Sequence, residues 1–174
     1  MQPDQARFLL ELMRPQLQEE SGTTRKVIAA IPEERKGYRP DEKSRSAMEL
    51  AWHIVSADIH FLQGIIAGQF GAEEPKMPDH VKTIADLVDW YDRNVPGLIE
   101  RLKKLSDEEL TRPVPFFGIA NYAAVVYLTF MVPHTVHHRG WLCAYLRPMG
   151  AKVPSIYGGS ADEPWVAPGE AQRA

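Results

Sequence analysis

The stretch TIADLVDWYDRNVPGLIERLKKL, residues 83–105, decides the fold. Ile84, Leu87, Val88, Tyr91, Val95, Leu98, Leu102 and Leu105 recur at the three- and four-residue steps that bring side chains onto one face of an α-helix. Thr83 and Asp86 hold capping-box positions, where each side chain can satisfy a free backbone N–H of the first turn. Pro96 lies inside the run and predicts a kink, because proline has no N–H and clashes one turn back. Ser106-Asp107-Glu108-Glu109 then caps a short further turn that ends at Arg112-Pro113.

Working outward, three more long segments carry the same period. The first spans about Pro3 to Ile31, with Leu9, Met13, Leu17, Thr24, Val27 and Ile31 as a loose stripe and Pro15 and Gly22 as expected points of bend or break. Residues 32–40 are polar and turn-rich and read as a loop. The second helix starts at Ser44 or Ser46 and ends near Gly68, with Leu50, Ile54, Ala57, Phe61 and Ile65 on one face. The last starts after Asn121, contains Pro133 and ends by Arg147, before Pro148 and Gly150. No stretch alternates convincingly as a strand. The expected fold is all-α, a four-helix bundle over residues 1–152. An irregular tail, residues 153–174, packs on it in part.

The chain has 174 residues, with 20 Lys and Arg against 23 Asp and Glu, so the net charge of −3 offers no basic surplus for nucleic acid. One cysteine excludes a disulfide framework and a zinc ribbon or finger. The first residues have neither the basic nor the apolar segment of a signal peptide, so a cytoplasmic protein is expected. The uncharged run between Arg112 and Arg139 has its apolar heart at residues 116–132. Gly118, Asn121 and Thr129 interrupt it and Pro133 closes it, so it reads as a buried bundle helix and no membrane contact is expected.

The chemistry lies in the histidines. In His134-Thr135-Val136-His137-His138, the first and last are four apart and can present two imidazoles to one metal ion. Thr135 stands where an H-E-x-x-H protease keeps its glutamate, so that reading fails. His53, amid apolar residues of the second helix, is the best third ligand; a hydrogen-bonded core histidine is the plain alternative. His60 is two turns from His53, about 10 Å along the axis and out of reach of the same ion. His80 reads as a solvated loop residue. His137 points about 100° away from His138, and Cys143 about 180° away from His134. Three protein ligands with an open position suit a catalytic ion. Asp58, His60 and His137 are candidate bases, Glu49 either a partner for His53 or a solvated helix-end carboxylate, and Tyr127 and Met131 either pocket or core residues.

At these residues the chain resembles the DinB-like (YfiT-like) superfamily of metal-dependent proteins. The carriers are His134-Thr135-Val136-His137-His138-Arg139-Gly140-Trp141, the following Tyr145-Leu146-Arg147-Pro148-Met149-Gly150, the earlier Leu50-Ala51-Trp52-His53-Ile54, and the tail Val153-Pro154-Ser155-Ile156-Tyr157-Gly158. Trp141 departs from the glutamine frequent in that family. The resemblance implies a bundle of up-down-down-up order, a homodimer, and a divalent metal (zinc first, nickel or iron(II) otherwise) on His53, His134 and His138. It implies no single reaction: some members are thiol-dependent transferases or isomerases acting with low-molecular-weight thiols such as bacillithiol, mycothiol or glutathione, and the first expectation is a metal-dependent S-transferase that adds a small thiol to a small-molecule electrophile. Hydrolysis by metal-bound water, and a non-catalytic metal-binding or stress-response protein, are the alternatives.

Overall fold

A computed structural model describes residues 1–73 and 75–165. Four long helices form the body: α1 (Pro3–Ala29), α2 (Ala47–Ala67), α3 (Ile84–Leu102) and, after a short α4 (Asp107–Thr111), α5 (Leu128–Leu146). α1 and α2 each pack on both α3 and α5, so they stand on one diagonal of the bundle and α3 and α5 on the other. The expected stripe of α3 is buried, and Thr83 and Asp86 close their capping box. α2 starts at the second of its two candidate caps: Ser46 accepts from the Glu49 N–H, and Glu49 accepts from the Ser46 N–H at 2.8 Å. It ends at Gly68, whose φ of 73° is the left-handed conformation that glycine adopts without penalty. α2 is long and apolar enough to cross a membrane by composition, yet 72% of its most apolar window is buried in the bundle.

The three internal prolines do not break their helices. Pro15, Pro96 and Pro133 all lie on exposed faces, where the carbonyl that each leaves unbonded one turn back can reach water and the buried face stays continuous. The expected break in the first helix is therefore absent.

Residues 113–123 add a small hairpin to the helical bundle where no strand was expected. Strands β1 (Pro113–Phe116) and β2 (Ala120–Ala123) pair antiparallel, with Pro113 opposite Ala123 and Phe116 opposite Ala120. Phe117 (φ 49°) and Gly118 (φ 71°) make the reversal, and the Ile119 N–H donates to Phe116 O at 3.0 Å. The buried Tyr127 hydroxyl clamps the hairpin, donating to Val114 O at 2.6 Å and accepting from the Tyr122 N–H at 3.2 Å. Asn121–Ala123 are thus strand and residues 124–127 a 3-10 turn, so the last helix begins at Leu128, not after Asn121. Two prolines in β1 hide the strand from a period count, and they are tolerated because a two-stranded ribbon leaves one edge of each strand unpaired.

The tail is irregular from Val153 through Trp165, and the remainder, residues 166–174, lies outside the described residues. Asp162 ties it down, pairing with Arg147 at 2.8 Å and accepting from the Val153 N–H at 2.8 Å.

Candidate metal centre

α2 and α5 pack along one side of the bundle, and their facing sides carry His53 from the first and His134 and His138 from the second. The helical four-residue step stacks His134 and His138 with ring centroids 4.4 Å apart, and His53 stands 5.0 Å and 4.5 Å from them. One ring nitrogen of each lies within 4.8 Å of the others; among the described residues this is the one such group of potential ligands. The three can hold a metal ion.

The spacing tests that fit. Bonds of about 2.0–2.1 Å to one tetrahedral zinc put two imidazole nitrogens about 3.3–3.4 Å apart. His53 Nε2 and His138 Nε2 are 3.3 Å apart. Burial is the main cause that holds the His138 imidazolium down to about 4, and positive charge on His134, His53, His137 and Arg45 adds to it. His138 is therefore neutral at pH 7, the form that offers a lone pair. Its Nδ1 has no hydrogen-bond partner among the described residues, so packing orients the ring: Trp141 meets it edge-on at 5.4 Å.

An aromatic wall closes the other side. Phe61 lies 6.2 Å from His134 and stacks on Phe116 of the hairpin at 5.7 Å. His60 sits in this wall, 5.5 Å from Phe70 and 6.1 Å from Phe117, apart from the three ligands as its spacing predicts. His137 is exposed against Trp141 at 4.6 Å, and His80 is exposed beside Trp90.

Several candidates have other employment. Glu49 serves the α2 cap and an ion pair with Arg39 at 2.9 Å. Tyr127 anchors the hairpin. Met131 and Asp58 face the bundle interior, around a small void shared with Glu20 and Thr135. Asp58 is fully enclosed and accepts hydrogen bonds from Thr135 and, at 3.0 Å, from the Tyr91 hydroxyl. It is a core group and not a base at the histidines.

Burial pushes the Asp58 carboxyl up from 3.8 to about 6, opposed by the Thr135 and Tyr91 hydrogen bonds and the nearby Arg139 charge, with the Glu20 charge adding to the rise. A folded value above the unfolded one means that the fold binds this proton more tightly. The stability it contributes is full below about pH 4 and is lost as pH rises through about 6. Urea unfolding of wild type and Asp58→Asn at pH 4 and pH 7 should show the difference moving in the variant's favour by up to about 3 kcal/mol. A pH-independent difference contradicts the assignment.

Sequence reasoning missed the neighbour of His138. Arg139 is buried at 1% exposure and ion-pairs with Glu20 of α1 at 2.6 Å. It also donates to Thr24 Oγ1 at 3.2 Å and to the Tyr157 hydroxyl at 2.6 Å, while that hydroxyl donates to Glu20 Oε1 at 2.8 Å. The tail thus reaches back to seal a charge pair inside the bundle. The signal was available: Arg139 is the first charged residue after a long uncharged run.

A helical bundle that presents one histidine from its second long helix and an i, i+4 pair from its last is a DinB-like protein with a candidate metal centre. The chain belongs to the DinB family, whose model matches residues 6–170. It is similar to YrdA of Bacillus subtilis (strain 168), described as uncharacterized, at 28% identity over 154 residues, 84% of this chain and 86% of YrdA. YjoA of the same organism, also described as uncharacterized, is 27% identical over 130 residues, 73% of this chain and 82% of YjoA. The crystal structure of YjoA, a DinB-like protein, superposes with a TM-score of 0.67 at 23% identity, covering 83% of this chain and 97% of that one. A DinB-like protein from Bacillus cereus gives 0.67 at 25%, covering 80% and 92%. These likenesses bear out the bundle fold.

Proposed function

We propose that this protein is a divalent-metal-dependent enzyme, with His53, His134 and His138 as the protein ligands of one ion, and that it transfers a small thiol to an electrophilic small molecule. The convergence of three imidazoles at ligand spacing carries the reading. When bound, a divalent cation favours the deprotonated form of a thiol and so supplies a nucleophile at neutral pH. The chain's own groups fit that division of labour. His138 is held neutral by its burial. Phe61 and Phe116 screen one side from water. Cys143 is half-buried with its thiol pushed up by that burial, so the reacting sulfur arrives with a substrate. Hydrolysis needs a base, and one candidate, Asp58, is committed to the bundle core.

Untagged protein should copurify with, or take up, one zinc, nickel or iron(II) ion per chain. It should then consume thiol in the presence of an alkyl halide or epoxide, with the rate lost on chelation and in His138→Ala. Thiol-independent ester hydrolysis with the same metal requirement would replace the transferase by the hydrolase. Loss of neither activity on chelation would overturn the metal-dependent reading.

A further inference from the structure

A cleft lies beside the histidine cluster and meets it through Trp141. It has a volume of about 420 Å³, within the range of small-ligand sites, and is lined by Pro40, Lys43, Arg45, Leu50, Trp141 and Tyr145. Trp141 joins the two features: it meets His138 edge-on at 5.4 Å and is half exposed (50%) on the cleft side of α5. Leu50 precedes His53 by one turn of α2, so both walls of the cleft lead to ligand-bearing helix faces.

The charge of this cleft runs against that of the chain, which is net negative. Lys43 and Arg45 line it, and neither side chain is in an ion pair among the described residues. Asp41, Glu42 and Glu49 are close in sequence, but none of them lines the cleft. Asp41 accepts from the Lys43 backbone N–H at 2.8 Å, and Glu49 takes the Ser46 N–H and Arg39. Two cations outside any ion pair among the described residues, an exposed indole and an apolar floor of Leu50 and Tyr145 make a complementary surface for one kind of molecule.

We propose that this cleft binds a small organic anion, its carboxylate or phosphate held by Lys43 and Arg45 and its apolar or planar body laid on Trp141 toward the histidine cluster. The inference deepens the enzymatic reading above by assigning the substrate class of that same site. Arg45 supplies the fork that two oxygens of an oxyanion accept from, Lys43 a point charge, and Trp141 a flat apolar surface for the phenyl-like body common to anionic and neutral ligands.

The test uses the full chain in two forms, zinc-loaded and metal-stripped, with zinc content measured on each sample. Binding of 3-phenylpropionate, of 2-phenylethyl phosphate and of the neutral 3-phenylpropanamide is followed by titration calorimetry or ligand-observed NMR. Both anions should bind the metal-stripped protein more tightly than the amide, by roughly tenfold for the loss of the charge-assisted contacts. Their rank separates a carboxylate site from a phosphate site. Arg45→Gln and Lys43→Gln should erase that preference while leaving amide binding unchanged, and Trp141→Ala should weaken all three ligands alike. Equal binding of anions and amide overturns the proposal. So does anion binding that needs zinc and ignores both cation variants, because the anion then sits on the ion and not in the cleft. A chain that binds anions through Lys43 and Arg45 but never takes up zinc would sink the metal reading and leave this one standing.

Discussion

Arg139→Ala is expected to lower the unfolding free energy by about 3–5 kcal/mol, the cost of leaving a buried partner charge uncompensated. The guanidinium is almost wholly enclosed and pairs with Glu20, which is itself only 11% exposed. Truncation also removes donors to Thr24 and to the Tyr157 hydroxyl, and so unfastens the tail from α1. Urea unfolding in the presence of a chelator isolates this loss from any metal contribution. Removing both charges together, Glu20→Leu with Arg139→Met, should recover most of it, because an apolar pair of similar volume needs no compensation. A loss below about 1 kcal/mol, typical of an exposed pair, would mean that water reaches this interior site.

The second large effect is on metal affinity. His134→Ala or His138→Ala should weaken binding by more than about 100-fold, beyond the 10–100-fold that loss of a group hydrogen-bonded to a ligand costs. His53→Ala should do the same and also lower stability of the metal-free chain, since that ring is 7% exposed in the bundle interior and leaves a cavity. His137→Ala should leave metal content nearly intact, because the ring is exposed and outside the group of three. Metal analysis after dialysis against a weak chelator reads all four. Depletion in His137→Ala with retention in His138→Ala would reverse the face assigned to α5.

How much of this was legible follows from which interactions are local. The capping box at Thr83 and Asp86 and the stripe from Ile84 to Leu102 depend on neighbours within four residues, and the structure repeats them. The pair His134 and His138 is local in the same sense, and the addition of His53 needed only that a histidine amid apolar neighbours requires a partner. The hairpin was missed because its pairing joins Pro113 to Ala123 across a reversal at Phe117, a non-glycine residue at positive φ that no composition rule announces. The role of Asp58 was hidden for the same reason: its partners, Tyr91 and Thr135, come from elsewhere in the chain. Glu20, Arg139 and Tyr157 span 137 residues of sequence, so only the fold brings them together.

The three-histidine centre is tested most directly by X-ray absorption at the zinc edge on untagged, zinc-loaded protein, with His138→Ala beside it. Wild type should show three imidazole nitrogens at about 2.0–2.1 Å and at least one non-protein ligand, with the imidazole count falling in the variant. A wild-type shell of fewer than three imidazoles, or one unchanged in His138→Ala, would contradict the assignment of His53, His134 and His138 to one ion.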